Sequence, residues 1–488
     1  MLKPLAPARW DYAKAAHLLN RAGFGGSPAD LERFTDAGLE KAVASLLEAG
    51  PAEDSAPSQD WAKPDPARAD RLREMRQATP ERRQELQREE RRTQREWMMA
   101  LRAWWLERMA RGRRPLLEKM ALFWHGHFAT SMVKVRDVYL MWRQNQLFRR
   151  QGLGGWFELL EAVSTDPAML VWLDQAQSRR QHPNENYARE LMELFTLGEG
   201  HYTEGDVAEA ARALTGLSLD RTRQAYVYRP LMHDPGEKVF LGRRGRLGLK
   251  DVLEEVLAQP AASRFIVVKL WSFFAGGTPA PGLVEALAEE FRATGSRFGP
   301  FLGAMFRCEE FYADSVVRSQ IKSPVQLLVI AVRQLERELP PGPASAQVLR
   351  SLGQDLFAPP NVKGWDGGAS WITTGTLLNR HNLAAALVLG EAAMPMGGPR
   401  AEASAERALA RGANRWPPVE AARLFAPEDR AAVQKLIAAL ERRFIQGHLG
   451  TRSAETLRAY LQTAQTFDDH HLRQAIRLIM CTPEYQLA

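Results

Sequence analysis

Apolar residues recur at helical spacing along most of the chain, which predicts a mainly α-helical fold. Two helical patterns lie between Trp10 and Ala49, and Ser27 followed by Pro28 can begin the second helix. Segments rich in proline and small or polar residues, 50–66 and 390–418, divide the chain as linkers. We therefore predict N-terminal helices over residues 1–49, a large irregular helical domain over 67–389 and a helical C-terminal extension over 419–488.

One helix of the main domain is unusually long. Thr79 supplies an N-cap and Pro80 a first-turn proline, and the next glycine is Gly112, so the pattern predicts a helical arm over 79–112 of about 45 Å. The first half of this arm contains six arginines and five glutamates. This balance favours a solvated helix with i,i+4 ion pairs over a nucleic-acid-binding surface.

Between Gln224 and Leu247 the pattern changes to short alternating runs, at 225–228 and 238–241. The tetrad His233-Asp234-Pro235-Gly236 between these runs is typical of a type II turn. We therefore predict a β-hairpin insertion over 224–247.

The composition is that of a soluble globular protein. Of the 488 residues, 45% are hydrophobic and 25% are charged. No run approaches the roughly 18 apolar residues that a membrane span requires. The net charge of +7 is small for this length and does not indicate a nucleic-acid partner. Two cysteines cannot build a disulfide framework or a four-thiolate zinc site.

The N-terminus lacks the apolar core of an export signal. We therefore expect a cytoplasmic protein, or a periplasmic one if a leader has been removed. The motifs of P-loop nucleotide hydrolysis, dinucleotide-dependent dehydrogenation and serine hydrolysis are absent from the sequence, which disfavours those activities.

The first candidate for chemistry is the run Phe123-Trp124-His125-Gly126-His127-Phe128 at the end of a predicted helix. Two histidines two positions apart cannot share a face of a regular helix. A common metal ion would therefore require the helix to end or distort at Gly126. The alternative is a chance pair at a helix end, and these residues alone leave both interpretations open.

The second candidate is the amphipathic helix predicted from Asn184 to Leu197. Glu190 and Glu193 share one face beside an apolar stripe, where a carboxylate is costly to bury without a cation or an arginine. Arginines could compensate the carboxylates of this helix. Glu185 and Arg189 stand at i,i+4, and Arg212 or Arg264 could reach the others. A structural ion-pair network and a metal or acid/base site therefore both stay open.

Two further segments carry candidate residues. A turn does not require histidine, so His233 and the adjacent Asp234 are site candidates in the predicted hairpin turn. The loop over 353–371 contains Trp365 and Trp371 and cannot be a regular element, and we expect it to fold against the core. Its tryptophans either seal a helix bundle or form a stacking platform for a sugar ring.

The order of these motifs resembles a bacterial family, the domain of unknown function 1800 family, over nearly the whole chain. The resemblance rests on these segments: 18–25, 123–128, 184–191, 202–204, His233-Asp234, 322–324 and 359–365. It implies that the family motifs map onto His125, His127, Glu185, Arg189, Glu190, His233 and Asp234. It implies no activity, since none is established for the family. Many members are exported, and a bulkier polar residue such as asparagine is expected where this chain has Gly126.

From these residues we expect a metal-dependent enzyme. The expected ligands are His125, His127, Glu190 and His233, and the expected catalytic residues are Glu193, Asp234 and Arg189. Imidazole and carboxylate ligands without thiolates suit a transition metal such as Fe, Mn, Zn or Cu. Oxidative chemistry is preferred over hydrolysis because aromatic residues flank the site.

The substrate stays open, with a carbohydrate or an exported polymer as one class, and neither a nucleic acid nor a membrane span is expected. The alternative function is a non-catalytic scaffold, or a helical protein that binds a glycan or a partner. In that case the histidines and glutamates form a buried polar network.

Overall fold

The structure is a computed structural model that describes residues 2–48, 58–390, 416–464 and 466–488. It is mainly α-helical, as predicted. The N-terminal helices are α1 (Tyr12–Ala22) and α2 (Pro28–Leu47). Ser27 begins α2 with a capping box to Asp30, which confirms the predicted start.

The long helical arm is also confirmed. Helix α3 (Arg68–Gln77) precedes α4 (Pro80–Arg111), and the Thr79 side chain caps α4 by accepting a hydrogen bond from the Arg82 amide. The ion pairs of its exposed half differ from the expected i,i+4 pattern. Arg82 joins Glu85, three residues on, and Glu74 of α3, whereas Arg92 and Glu96 follow the expected spacing.

Seven helices follow: α5 (Pro115–His127), α6 (Met132–Val135), α7 (Val138–Gln151), α8 (Trp156–Ser164), α9 (Pro167–Trp172), α10 (Glu185–Glu190) and α11 (Glu204–Ala213). Helix α10 continues into a π-helical segment, Leu191–Thr196, where the sequence predicts one regular helix. The capping box of Thr203 and Asp206 begins α11, as expected.

The β insertion consists of two antiparallel hairpins and not of one. Strand β1 (Leu217–Asp220) pairs with β2 (Ala225–Tyr228), and β3 (Lys238–Phe240) pairs with β4 (Arg243–Gly245). The prediction that the runs at 225–228 and 238–241 pair with each other is therefore wrong.

The tetrad His233–Gly236 connects the two hairpins and is held by helix α11. The Asp234 amide donates to the Thr215 hydroxyl oxygen just after α11, and the Asp234 carboxylate pairs with Arg212 on that helix. The β1–β2 turn is closed instead by the Asp220 side chain, which accepts from the amides of Thr222 and Arg223. Tertiary anchoring thus decides the strand pairing.

The second half of the main domain contains these helices: α12 (Leu249–Ala258), α13 (Pro260–Phe274), α14 (Pro281–Ala293), α15 (Phe298–Met305), α16 (Pro324–Gln334), α17 (Gly342–Ser351) and α18 (Thr374–Leu389). The C-terminal helices are α19 (Val433–Leu440), which continues into a π-helical segment, α20 (Thr451–Gln462) and α21 (Asp469–Met480).

The loop between α17 and α18 folds against the core, as expected. Phe357 and Trp371 are buried, and the loop contains a short 3-10 turn, Gly368–Trp371. In the first predicted linker Trp61 is buried too, edge-on against Trp104 of α4. The second predicted linker lies almost wholly outside the described residues.

A hydrophobic cluster runs through the N-terminal, main and C-terminal helices, from Leu18 through Trp124 to Leu472. None of the helices in the described part of the chain combines the length and the apolar character that crossing a bilayer requires.

Helix α5 is buried on nearly all sides and is held by two adjacent charged residues. The Glu118 carboxylate accepts hydrogen bonds from Trp105 (3.0 Å) and Arg108 (3.2 Å) on α4 and from Arg149 (2.8 Å) on α7. On another side of the helix the Lys119 ammonium donates to the carbonyl oxygen of Gly23 at 2.9 Å, just beyond α1. These contacts fix α5 against three other helices.

We predict that replacing Glu118 by glutamine destabilises the fold, because it removes the negative charge between two arginines in a dry environment. The free energy of unfolding, measured by urea denaturation, should fall by ~3–5 kcal/mol. Glu107→Gln is the control, since the Glu107–Arg111 pair is half exposed and such pairs contribute less than ~1 kcal/mol. Equal losses in the two variants would contradict this role for Glu118.

Candidate functional site

The two histidines of the His-x-His motif contact different partners. Helix α5 stays regular through Gly126 to its end at His127. The Nε2 atom of His125 accepts a hydrogen bond from the Phe357 amide at 2.9 Å. The Nε2 atom of His127 lies 3.1 Å from the carbonyl oxygen of Phe195. The structure therefore does not direct the two imidazoles at one atom.

His125 lies in an aromatic environment and is 2% exposed. The rings of Trp105, Phe357 and Trp365 lie 5.1 to 5.6 Å from its own. Because Nε2 accepts a hydrogen bond, the proton of the neutral ring is on Nδ1. Burial, together with the nearby charge of Arg102, lowers the pKa of His125 to about 3.

His127 has the opposite tautomer. Its Nε2–H must donate to the Phe195 carbonyl, which leaves Nδ1 as an acceptor. That Nδ1 is buried and has no hydrogen-bond partner among the described residues. Burial and the charge of Lys269 lower the pKa of His127 to about 3, although the bond to Phe195 acts in the other direction.

The predicted carboxylate face lies on α10 and the π-helical segment. Glu193 accepts a hydrogen bond from the Tyr202 hydroxyl at 3.0 Å. Arg189 binds both carboxylate oxygens of Glu204 at 2.7 Å and lies 3.7 Å from Glu185. Arg212 and Arg264 pair elsewhere, with Asp234 and Glu285. Among the described residues, none of these arginines therefore forms an ion pair with Glu190 or Glu193.

Glu190 is half-buried, and within the described ranges its carboxylate has no ion-pair partner. Burial and the adjacent charge of Glu193 raise its pKa, which the charges of Arg189 and Lys363 partly offset.

His233 and Asp234 belong to a different part of the molecule. The Nδ1–H of His233 donates to the Thr215 carbonyl oxygen at 3.0 Å, and Asp234 pairs with Arg212 at 2.8 Å. His233 lines a separate cavity beside the β insertion, together with Tyr226 and Tyr228. The described residues contain no group of three or more histidine, cysteine or acidic side chains placed to hold one metal ion.

Three of the sequence motifs meet instead at a cavity of about 280 Å³ beside the end of α5, which we call the helix-end pocket. Its walls come from α5, the π-helical segment, α13, the start of α16 and the loop before α18. The residues that define it are Gly126, His127, Leu194, Lys269, Lys363 and Trp365. Glu190 and Glu193 lie on the helix that supplies Leu194.

The loop reaches this pocket through a close backbone contact. Gly364 has a φ of +83°, and a Cβ there would lie 2.2 Å from the carbonyl oxygen of Gly126. Glycine is therefore required at 364, both for its conformation and for the approach. At Gly126 a Cβ would meet nothing closer than Trp365, at 3.9 Å.

Positive charge dominates the pocket. The ammonium of Lys119 is committed to backbone carbonyls near α1. Lys269 lies over the Phe265 ring at 5.2 Å, and within the described residues neither Lys269 nor Lys363 forms an ion pair. The Lys269 side chain as a whole is exposed, but its ammonium group is partly desolvated, which lowers its pKa. The nearby charge of Lys363 lowers this pKa further.

Sequence reasoning missed Lys269 and the amide side chains of the pocket. Lys269 interrupts an otherwise apolar run, Phe265-Ile266-Val267-Val268-Lys269-Leu270, and a lone charge in such a run is a usable sign of a functional residue. No comparable feature of the sequence distinguishes the three glutamines, Gln320, Gln326 and Gln354.

Fold and site together define a mainly helical protein with two small β-hairpins and a lysine-lined pocket at the end of a buried helix. The chain belongs to the family described as Protein of unknown function (DUF1800), which matches residues 17–487. Comparison with curated proteins and with solved structures gave no match.

Acid should destabilise the fold through His125 and His127, whose imidazoles are buried. Their pKa of about 3 in the folded state lies below the unfolded value of about 6.5, so the unfolded chain binds more protons between these limits. The free energy of unfolding should therefore fall as the pH drops below 6.5, by up to ~1.4 kcal/mol per pH unit and per histidine.

Urea denaturation between pH 7 and pH 4.5 measures this slope. His127→Gln should make the slope shallower, whereas His182→Gln should not, since His182 is exposed. An unchanged slope in His127→Gln would show that His127 is not held neutral.

Proposed function

We propose that the protein binds a small organic anion in the helix-end pocket. The observation that carries this proposal is the pair of lysines in its walls, Lys269 and Lys363, which form no ion pair within the part of the chain that the structure describes. They lie close enough for one charge to affect the pKa of the other. An anion between two ammonium groups relieves their repulsion and forms charge-assisted hydrogen bonds.

The nearby carboxylates do not provide this neutralisation. Asp366 lines the pocket and is exposed, as both lysines are, and within the described residues it forms no ion pair with either of them. Glu190 is close enough for Lys363 to affect its pKa, but that pKa is still raised, which is not the behaviour of a carboxylate bound directly to a cation.

The size and lining of the pocket favour an organic ligand over an inorganic ion. Its volume of about 280 Å³ is near the lower end of the ~300–1000 Å³ of small-molecule sites. Phe123, Phe273 and the half-buried Trp365 add apolar surface next to the lysines. The same features support the alternative function expected from the sequence, a helical protein that binds a glycan or a partner.

Removal of either positive charge should weaken anion binding. We expect Lys269→Gln and Lys363→Gln each to reduce the affinity for glucuronate, citrate or succinate by about tenfold, the loss of one charge-assisted hydrogen bond. Isothermal titration calorimetry on the full chain measures this. Lys41→Gln, an exposed lysine on α2, is the matched control. Unchanged affinities in both pocket variants, or no binding of any of these anions, would overturn the proposal.

The metal-dependent enzyme expected from the sequence stays a prediction, with oxidation or hydrolysis as its chemistry. Its test is elemental analysis of the protein before and after treatment with a chelator. Because the proposed anion site uses ammonium groups, we expect chelation to leave anion binding unchanged. A stoichiometric transition metal that is lost from His127→Gln, and whose removal abolishes anion binding, would instead support the metal centre.

A further inference from the structure

Two residues of the helix-end pocket, His127 and Gln320, each carry a buried acceptor atom, Nδ1 and Oε1, that has no donor among the described residues. We infer that the anion is a sugar acid, a molecule of monosaccharide size with several hydroxyl groups beside its acidic group. This inference rests on the proposed function and adds the class of ligand to it.

The acceptor on His127 is fixed by its surroundings. A carbonyl oxygen can only accept, so the bond to Phe195 places the ring proton on Nε2. Nδ1 therefore presents a lone pair, and the residue is 8% exposed.

The acceptor on Gln320 is fixed in the same way. Its Nε2 donates to the carbonyl oxygens of Phe273 at 2.9 Å and Ser272 at 3.4 Å, at the end of α13. These two acceptors exclude the flipped amide, so Oε1 is the atom left without a partner in the described structure.

A simple carboxylate cannot satisfy these two atoms. Buried acceptors in proteins are almost always paired, and an ionised carboxylate has no proton to donate to them. The lysine ammonium groups are already assigned to the anion. A ligand hydroxyl can donate to them, and a sugar acid carries several hydroxyls next to its anionic group.

Two further glutamines offer the matching donors. Oε1 of Gln326 accepts from the Ser323 amide, and Oε1 of Gln354 accepts from the Val325 amide, both at 3.0 Å at the start of α16. With these oxygens occupied, the side-chain NH₂ groups of the two glutamines can donate to oxygen atoms of a ligand. Neither NH₂ group has a hydrogen-bond partner in the described ranges. A hydroxyl both donates and accepts, so it suits a pocket that presents both kinds of group.

Trp365 forms the wall of the pocket next to the end of α5. It is half-buried, lies 5.6 Å from the His125 ring, and would be in ordinary contact, at 3.9 Å, with a Cβ at position 126. A tryptophan face next to polar groups suits the apolar face of a sugar ring.

The experiment compares three ligands by calorimetry on the wild-type chain: glucuronate, cyclohexanecarboxylate and glucose. The second has the ring and the acid without hydroxyls, and the third has the hydroxyls without the acid. We expect glucuronate to bind about 100-fold more tightly than either, because sites built for hydroxyls strongly reject analogues that lack them. Glucose 6-phosphate and phosphate, run in parallel, show whether the acid can be a phosphate.

Two variants locate the binding. Gly126→Ala fits without a clash and favours the helix, so it should keep or raise the melting temperature while it narrows the pocket and weakens glucuronate by about tenfold. Gln320→Met removes the acceptor and should weaken glucuronate but leave the affinity for cyclohexanecarboxylate unchanged.

The outcomes separate the two proposals. If cyclohexanecarboxylate binds as tightly as glucuronate, the sugar-acid inference is wrong and the anion site stands. If neither acid binds while citrate or succinate does, the sugar-acid inference is likewise wrong. If glucose binds as tightly as glucuronate, or if none of these anions binds, the anion site itself is wrong. Glucuronate binding that is unaffected by Gly126→Ala and by Lys363→Gln would place the ligand elsewhere and overturn both.

Discussion

The rest of the site depends on how helix α5 is held, and two neighbouring charges of opposite sign hold it. Glu118 binds α4 and α7, and Lys119 binds the chain just after α1. Both side chains are 1% exposed. A buried charge is tolerated only when its partners are in place. A rotation or shift of α5 would leave at least one of the two charges buried without its partners. The helix therefore has one permitted orientation, and its last turn is placed with the same precision.

That orientation explains why the two motif histidines have different roles. In a regular helix, positions 125 and 127 point to opposite sides. His125 supports the tryptophan loop through the Phe357 amide, and His127 borders the pocket and contacts the π-helical segment through Phe195. One histidine thus positions a wall of the pocket, and the other belongs to its lining. A short motif can serve one site without both residues contacting the same ligand.

The sequence predicted the features that local chemistry decides. The start of α4 at Thr79-Pro80, the capping box at Thr203 and the folded loop around Trp371 follow from capping and burial, and the structure confirms them. It could not predict the strand pairing or the π-helical segment, since contacts with other elements decide both. Lys269 was missed because its importance comes from Lys363, which lies 94 positions later and approaches only in the folded chain.

Because of the contact between Gly364 and Gly126, the two positions differ in the side chains that they can accept. Any side chain at position 364 meets the carbonyl oxygen of Gly126, so only glycine fits there without a shift of the backbone. A Cβ at position 126 would be in ordinary contact with Trp365, at 3.9 Å, so alanine fits there, narrows the pocket and leaves the backbone in place. The volume of the pocket can therefore be reduced by a change at this one position, while the helices around it stay as they are.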